Sequence, residues 1–211
     1  MRAIIVSGGK PPSKELLLNN LNDKDFIIGV DKGCNTLYEN GIIPNIIVGD
    51  FDSVDNDVLE FYKEKNVLIN KFRTDKDYSD TDLGYEKAKE CGATEILLFG
   101  ATGNRLDHML GNIGILFKAL KDKIDMKIID DNNKIFLIDK STKLKGKYGD
   151  LISFHAMSDI VTNINIKNAR YSLANYNMSL LEPRAICNEF LNEDIEITFD
   201  EGKILVLYST D

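Results

Sequence analysis

The chain has 211 residues, of which 43% are hydrophobic and 28% charged, so it can form one large or two small globular domains that bury a core of their own. The net charge of −8, from 26 basic and 34 acidic residues, argues against general binding to nucleic acid or to an anionic membrane. Three scattered cysteines and two histidines give no zinc-binding spacing and fit a reduced compartment. The N-terminal apolar run at 3–6 is too short for a signal peptide. No apolar run approaches the length of about 18 residues that a membrane-spanning helix needs. We therefore expect a cytoplasmic protein.

The first half of the sequence alternates short β-branched runs with segments of helical spacing. The runs predict buried strands at 3–7, 26–31, 46–49, 67–70 and 95–100. The intervening segments predict helices at 13–21, 34–40, 55–65, 81–91 and 106–120. This alternation is typical of βαβ units, which build a mainly parallel sheet with helices on both faces.

The pattern changes near residue 125, after which short strand candidates are separated by turn residues. These strands are predicted at 126–130, 134–139, 143–147, 151–155, 160–166, 195–200 and 203–208. Strands with tight turns and little helix favour an antiparallel β-sandwich. The fold class is therefore α/β, with a mainly parallel N-terminal α/β domain at 1–125 and a C-terminal β-sandwich domain at 126–211.

Glycine or aspartate follows every predicted strand of the first domain, and several carboxylates follow three of them, at the sheet edge where open α/β folds bind ligands. The first strand is followed by Gly8 and Gly9, and the others by residues 31–33, 49–53, 76–82 and 100–108. Converging carboxylates with glycines suit Mg²⁺ and the phosphates of a nucleotide. The Walker and GxGxxG phosphate-binding motifs do not follow the first strand. From the residues alone, a site for a magnesium–nucleotide complex is expected at this edge.

Three features of this edge have alternative interpretations. Asp50 and Asp52 are spaced i, i+2, so an extended segment would direct both carboxylates to one side and toward one metal; alternatively they form an acidic turn before a helix. Arg105 opens a predicted helix, where a cation is disfavoured unless a phosphate lies nearby or Asp107 pairs with it. For His108, packing in the core and a place in the site are equally compatible with the sequence.

Several of these residues, in their order along the chain, give the sequence a resemblance to the thiamine pyrophosphokinase family. The matching blocks are Asp31-x-Gly33, Gly49-Asp50-Phe51-Asp52-Ser53, Lys76-Asp77-x-Ser79-Asp80-x-Asp82, Gly103-x-Arg105-x-Asp107-His108 with Asn112, and Asn188-Glu189-Phe190. They span nearly the whole chain, and the GDFDS and GxRxDH blocks in this order are specific together although each alone is weak.

The resemblance implies transfer of pyrophosphate from ATP to the hydroxyl of thiamine, giving thiamine diphosphate and AMP. It implies a nucleotide- and metal-binding first domain, a thiamine-binding and dimerisation second domain, and a homodimer with active sites between subunits. Asp50, Asp52 and Asp80 are then the Mg²⁺ ligands, with Asp31 nearby. Arg105 contacts phosphate, and Asp107 faces thiamine. The remaining residues expected to bind nucleotide or thiamine are Gly8, Gly9, Gly33, Ser79, His108, Asn112, Cys187 and Asn188.

The sequence departs from the family pattern at three positions. Ser79 replaces the usual Thr, Asp82 replaces Glu, and Cys187 replaces the Ser of most bacterial relatives, which exchanges a good hydrogen-bonding group for a weak one. No Trp is present, so any stacking on thiamine would use Tyr or Phe. Asp80 and Asp107 both remain candidates for the general base. The alternative functions are another magnesium-dependent phosphotransferase or phosphohydrolase, a nucleotide- or thiamine-binding module without turnover, and a structural interaction protein.

Overall fold

A computed structural model describes residues 1–72 and 78–210, and the chain divides into two compact units, Met1–Asp131 and Asn132–Asp211. The first unit is built on a parallel sheet with helices, and the second contains antiparallel strands. The predicted fold class is therefore confirmed. Among the described residues, no helix is long and apolar enough to cross a membrane.

The strands of the first unit form a parallel sheet in the order β6-β5-β1-β2-β3-β4. They are β1 (Arg2–Val6), β2 (Phe26–Val30), β3 (Ile46–Gly49), β4 (Leu68–Lys71), β5 (Glu95–Phe99) and β6 (Asp125–Ile129). The helices are α1 (Lys14–Asn19), α2 (Gly33–Glu39), α3 (Asn56–Glu64), α4 (Asp80–Glu90) and α5 (Leu106–Asp122). The five predicted strands and five predicted helices of the first half all occur, with ends that shift by a few residues.

Helix packing on the sheet explains the continuous apolar runs of the central strands. Residues 3–6 of β1 are fully buried, because helices cover a parallel sheet on its faces. One core cluster joins Val6 and Phe99 of the sheet to Leu17 of α1, and another joins Ile47 to Tyr62 of α3. This packing fixes the strand ends, from which the loops of the candidate site extend.

Strand β6 differs from its predicted placement. The run at 126–130 predicts the first strand of the second domain, but β6 pairs in parallel with β5, with Met126 opposite Ile96. Lys123 adopts a left-handed φ of 60° just after α5, which turns the chain back toward the sheet within a few residues. The division between the units accordingly falls after Asp131 and not after residue 125.

The second unit contains two groups of antiparallel strands, in the orders β12-β9-β14-β7 and β11-β10-β13-β8. The strands are β7 (Asn133–Ile138), β8 (Thr142–Leu144), β9 (Leu151–Ala156), β10 (Ile160–Lys167), β11 (Leu173–Ser179), β12 (Ala185–Glu189), β13 (Ile195–Thr198) and β14 (Ile204–Ser209). Both groups contribute to one apolar cluster, exemplified by Phe154 of β9 and Ile164 of β10, as expected for a β-sandwich.

The strand pattern of the sequence does not predict β11 or β12. Within β11 only Met178 is buried, and most of the other side chains are polar. Within β12, Cys187 has a left-handed φ of 53°, and the pairing with β9 shifts register between Ala185 and Asn188. A bulged strand with few buried apolar residues lacks the alternation by which strands are recognised.

Candidate active site

A cavity of about 620 Å³ lies at the carboxyl ends of the strands of the first unit. It is lined by the predicted site residues Gly8, Gly9, Asp31, Ser79, Asp80, Arg105, His108 and Asn112. Its lining also includes side chains outside the predicted set, namely Ser7, Lys10, Lys32, Ser53, Thr81 and Thr102. Lys10 and Lys32 lie four and two residues beyond the ends of β1 and β2, so reading every side chain of the loops after the strands for positive charge would have found them. Of the other predicted residues in this unit, Gly33, Asp50, Asp52 and Asp107 do not line the cavity.

Asp31 stands in a strained backbone position and faces other acidic groups. Its φ is 44°, and its Oδ1 lies 3.4 Å from the backbone N–H of Phe51. Burial, reinforced by the neighbouring carboxylates of Asp80 and Asp50, raises the pKa of Asp31 to about 7. Gly49 makes room for this carboxyl group, because a Cβ there would come within 1.8 Å of Asp31 Oδ1. Gly49 therefore shapes the site without lining it.

The segment that carries Asp50 and Asp52 is a turn and not an extended strand. Phe51 adopts a left-handed φ of 63°, and Asp50 Oδ1 accepts the backbone N–H of Asp52 at 3.0 Å. The i, i+2 argument for two carboxylates on one side therefore does not apply. Within residues 1–72 and 78–210, no three acidic, His or Cys side chains form a group able to hold a metal ion. The structure thus does not assemble the expected ligands Asp50, Asp52 and Asp80.

The interacting pair of Asp31 and Asp80 nevertheless fits a hard divalent cation. Both carboxyl groups line the cavity, and their mutual repulsion contributes to the raised pKa of Asp31. Mg²⁺ commonly takes one or two protein carboxylates and completes its shell with water and substrate phosphates. A two-carboxylate site beside a cavity of this size matches that requirement.

The first turn of α4 places Asp80 at the cavity. Ser79 caps the helix by accepting the N–H of Asp82 at 3.2 Å, as its position before an acidic first turn indicates. The buried hydroxyls of Thr81 and Ser7 lie 2.5 Å apart, which connects α4 to the end of β1. The predicted site block also includes Lys76 and Asp77, which lie outside the described residues.

Arg105 and Asp107 form a two-point ion pair at the start of α5. Arg105 Nε and Nη2 donate to the two carboxylate oxygens of Asp107 at 2.9 and 2.6 Å. This guanidinium holds the pKa of Asp107 well below its usual range. Both side chains are exposed. The ion pair with Asp107, one of the two explanations offered for Arg105 from the sequence, therefore forms, and Arg105 lines the cavity as well.

Three of the predicted residues support the walls of the site through backbone contacts. Asn112 is buried and donates to the carbonyl of Ala101 at 2.7 Å, which holds the loop after β5 against α5. A Cβ on Gly9 would come within 2.4 Å of the Thr102 carbonyl oxygen, so the loops after β1 and β5 approach through this glycine. Gly33 packs in the same way against the Val6 carbonyl, away from the cavity.

In the second unit, the predicted residues Cys187 and Asn188 have different environments. Asn188 is 1% exposed, and its amide accepts from Tyr171 N at 2.9 Å and donates to Tyr171 O at 2.7 Å. Cys187 is exposed, and its backbone N–H donates to Ser153 Oγ. A cavity of about 340 Å³ is lined by Tyr171, Ser172, Leu173, Arg184, Ala185, Ile186 and Asn188. The amide of Asn188 thus shapes a small cavity chiefly by fixing the backbone of Tyr171.

An open parallel sheet whose strand ends surround glycines, paired carboxylates and cations is the arrangement by which α/β proteins commonly bind phosphorylated ligands. Family profiles identify the group more closely. "Thiamin pyrophosphokinase, catalytic domain" matches residues 17–128, and "Thiamin pyrophosphokinase, vitamin B1 binding domain" matches residues 136–204. The chain belongs to the thiamin pyrophosphokinase family, which confirms the predicted resemblance and enzyme class.

Individual relatives agree over the full length of the chain. The thiamine pyrophosphokinase of Bacillus subtilis (strain 168) is 31% identical over 214 residues, which cover 100% of both proteins. The crystal structure of thiamine pyrophosphokinase from Bacillus subtilis matches with a TM-score of 0.91 at 30% identity, covering 100% of both chains. That of thiamin pyrophosphokinase from Geobacillus thermodenitrificans matches with a TM-score of 0.88 at 28% identity, covering 100% of this chain and 98% of the other.

Proposed function

We propose that the protein catalyses Mg²⁺-dependent transfer of pyrophosphate from ATP to the hydroxyl of thiamine, giving thiamine diphosphate and AMP. The observation that carries the proposal is the cavity of the first unit, which brings Asp31 and Asp80 together with Lys10, Lys32 and Arg105. Most of the residues that line it, although not Lys10, belong to the region 17–128 that the catalytic-domain profile matches. Carboxylates for a metal and cations for phosphate oxygens are the groups that a magnesium–nucleotide requires.

In this proposal the chain's cations hold the triphosphate. Lys10, Lys32 and Arg105 face the cavity from three different loops, so they can contact phosphate oxygens from several directions. Asp80 and Asp31 would hold Mg²⁺. The family motif would add Asp50 and Asp52 as oxygen ligands from the turn after β3, although the described residues do not bring them together with Asp80. When bound, Mg²⁺ neutralises charge on the transferring and leaving phosphates.

The reaction forms one phosphorus–oxygen bond and breaks another. The thiamine hydroxyl oxygen attacks the β-phosphorus of ATP, the bond from that phosphorus to the oxygen bridging the α-phosphorus breaks, and AMP leaves with the bonding electrons. The hydroxyl proton passes to a carboxylate. Asp107 is a poor acceptor because Arg105 keeps its pKa low. Asp80, which is assigned to the metal, can accept the proton only through a carboxylate oxygen that the metal leaves uncoordinated. The ionised Asp107 is suited to attract the cationic thiazolium of thiamine.

We further propose that the second unit supplies thiamine contacts and that two copies of the chain form a homodimer, with each site completed by the other subunit. Supporting this are the match of the second unit to the vitamin B1 binding profile and its 340 Å³ cavity. Tyr171 lines that cavity and is 57% exposed, so it offers an aromatic surface for stacking in a chain that lacks Trp. Asn188 of β12 also lines that cavity, and Cys187 precedes it in the same strand. A cytoplasmic location is proposed with this assignment.

The test is an assay of the purified protein with ATP, thiamine and Mg²⁺, analysed by chromatography for nucleotides and thiamine esters. Equal amounts of thiamine diphosphate and AMP, both lost when EDTA is added, are the expected result. Release of ADP or inorganic phosphate in place of AMP would indicate a different phosphotransferase. Ligand binding without any AMP would indicate a binding module without turnover.

A further inference from the structure

Two buried or half-buried groups join helices α4 and α5 beside the candidate active site. Lys118 Nζ of α5 lies 2.6 and 2.7 Å from the two carboxylate oxygens of Asp82 in α4. Asp82 is only 7% exposed, so Lys118 supplies the opposite charge that a buried carboxylate needs beside it. An ion pair with a buried member and two short contacts fixes geometry far better than an exposed pair does.

The same ammonium group also contacts the residue that precedes the first turn of α4. Lys118 Nζ lies 5.2 Å from the centre of the Tyr78 ring, within the range of a cation–π contact. Tyr78 and Asp82 flank Asp80 at two residues on each side, and Ser79 caps the N–H of Asp82. Lys118 therefore holds both ends of the five-residue segment whose centre is Asp80.

A second ion pair joins the same two helices at the other end of α4, one turn further along α5, and provides an internal comparison. Lys89 Nζ in the last turn of α4 lies 2.6 Å from Asp122 Oδ2 of α5. Neither residue lines the cavity. The two pairs differ in burial, because Asp122 is more exposed than Asp82 and also accepts from Tyr85. Only the Asp82 pair lies next to Asp80, so the Lys89 pair controls for the loss of a contact between the two helices.

We propose that Lys118 is a positioning residue for the reaction: through Asp82 and Tyr78 it sets the place of the Asp80 carboxylate, and thereby the fit of the magnesium–nucleotide. The proposal rests on the function proposed above, since Asp80 acts on the metal only in that reaction. Lys118 itself does not line the cavity, so it acts through Asp82 and Tyr78.

The experiment compares Lys118→Met with the matched control Lys89→Met, and adds Lys118→Arg, which restores a cation able to bind both oxygens of Asp82. Binding is measured by calorimetry with the magnesium complex of α,β-methylene-ATP, whose α–β bridge is not cleaved. Steady-state assays give kcat and the KM values for MgATP and thiamine separately. Hydrogen–deuterium exchange follows the amides of residues 78–83.

Lys118→Met is expected to raise the Kd of the analogue and lower kcat by about ten- to a hundredfold, the range of a displacement of about 1 Å at a catalytic group. The KM for thiamine should stay the same, exchange at 78–83 should speed up, and Lys118→Arg should recover most of the loss. Lys89→Met should leave binding and turnover unchanged. Equal effects of the two Met variants, or wild-type binding by Lys118→Met, would overturn the proposal.

Lys118→Met leaves the Asp82 carboxylate buried without its partner, and that variant can unfold for this reason alone. The double variant Lys118→Met/Asp82→Asn removes both charges and decides the question in that case: weakened analogue binding supports positioning, and unchanged binding refutes it. Failure of the proposed function is distinguished separately, because a wild-type protein that forms no thiamine diphosphate contradicts that function whatever the analogue titrations show.

Discussion

The carboxyl group of Asp31, at the end of β2, interacts directly with that of Asp80, in the first turn of α4. Two carboxylates in a partly buried cavity disfavour each other's charge, and burial adds to this effect. Such an arrangement is unfavourable for the fold unless a cation or a shared proton compensates. The carboxylate pair and the strained backbone of Asp31, whose φ is 44°, therefore both indicate that this part of the fold serves ligand binding.

The raised pKa of Asp31 predicts a characteristic pH dependence of stability in magnesium-free buffer. The folded-state pKa, about 7, lies above the usual 3.8, so between these values the folded protein holds a proton that the unfolded chain releases. Stability from this group is present at low pH and is lost as the pH rises toward 7. Asp31→Asn has no ionisable group at this position, so its folding stability should not fall in this way as the pH rises.

The measurement is the melting temperature of the wild type and Asp31→Asn between pH 5 and pH 8. The advantage of the variant should grow with pH, while Asp57→Asn, at an exposed position in the first turn of α3, should follow the wild type. A difference between Asp31→Asn and the wild type that does not change with pH would contradict the raised pKa.

Asp80→Asn and Asp52→Asn should each abolish turnover while leaving the fold intact. Each removes a charge that we assign to the metal, and relief of carboxylate repulsion should hold or raise the melting temperature of the Asp80 variant without ligand. Activity is measured over a range of Mg²⁺ concentrations, together with the rise in melting temperature caused by MgATP. Near-normal activity of either variant at limiting Mg²⁺ would remove that residue from the ligand set. Because only Asp80 lines the cavity, the two variants test the geometric and the motif-based assignments separately.

Much of the fold could be predicted because its signals are local. The central strands are buried on both faces, and Ser13 and Ser79 cap helices as their sequence context indicates. Strand β6 could not be assigned to the first sheet, because its parallel pairing with β5 depends on tertiary structure. Strand β12 could not be recognised, because its pairing with β9 is interrupted by a bulge at Cys187. Periodicity reports which face of a segment is buried and not which strand lies beside it.

The candidate site was predictable as a location but not as a geometry. Strand ends identified the edge, and hence Asp31, Asp80 and Arg105. Asp50 and Asp52 were expected on an extended segment, but the left-handed φ of Phe51 makes this segment a turn. Residue spacing alone does not reveal such a φ. Lys118 lies 36 residues from Asp82, so no local pattern connects the two.

Asn188→Ala should destabilise the second unit whatever its effect on thiamine. The Asn188 amide satisfies the backbone N–H and carbonyl of Tyr171 and also accepts from Glu189 N at 3.0 Å. A buried polar group left unpaired costs about 1–3 kcal/mol. The free energy of unfolding should fall by this amount, which appears as a lower midpoint of urea unfolding. Asn177→Ala, at an exposed site with one bond to Asn163 N, should change it far less. A urea midpoint equal to that of the wild type would show that this network contributes no stability.

Mixed dimers test whether active sites are shared between subunits. Asp52→Asn is combined with Tyr171→Ala, which changes an exposed cavity side chain and spares the buried amide of Asn188. If each variant alone is inactive, random exchange should restore about a quarter of wild-type activity, because half of the dimers are mixed and each has one intact site. Subunit exchange is verified with two affinity tags. An inactive mixture after verified exchange would argue for sites confined to single subunits.

Cys187→Ser tests which part of this residue faces thiamine. The backbone N–H of Cys187 donates to Ser153 Oγ at 3.0 Å, and the Cys187 side chain is exposed. Its backbone has a left-handed φ of 53°, which Ser accommodates as Cys does. The fold should therefore be unaffected. If the thiol points at thiamine, Ser offers a stronger hydrogen bond, worth about 0.5–1.5 kcal/mol, which allows at most a roughly tenfold fall in the KM for thiamine. We expect a modest fall, measured at saturating MgATP with Cys91→Ser as the control. A large rise in KM would contradict both a backbone and a thiol contact, and would show that the pocket requires the less polar sulfur.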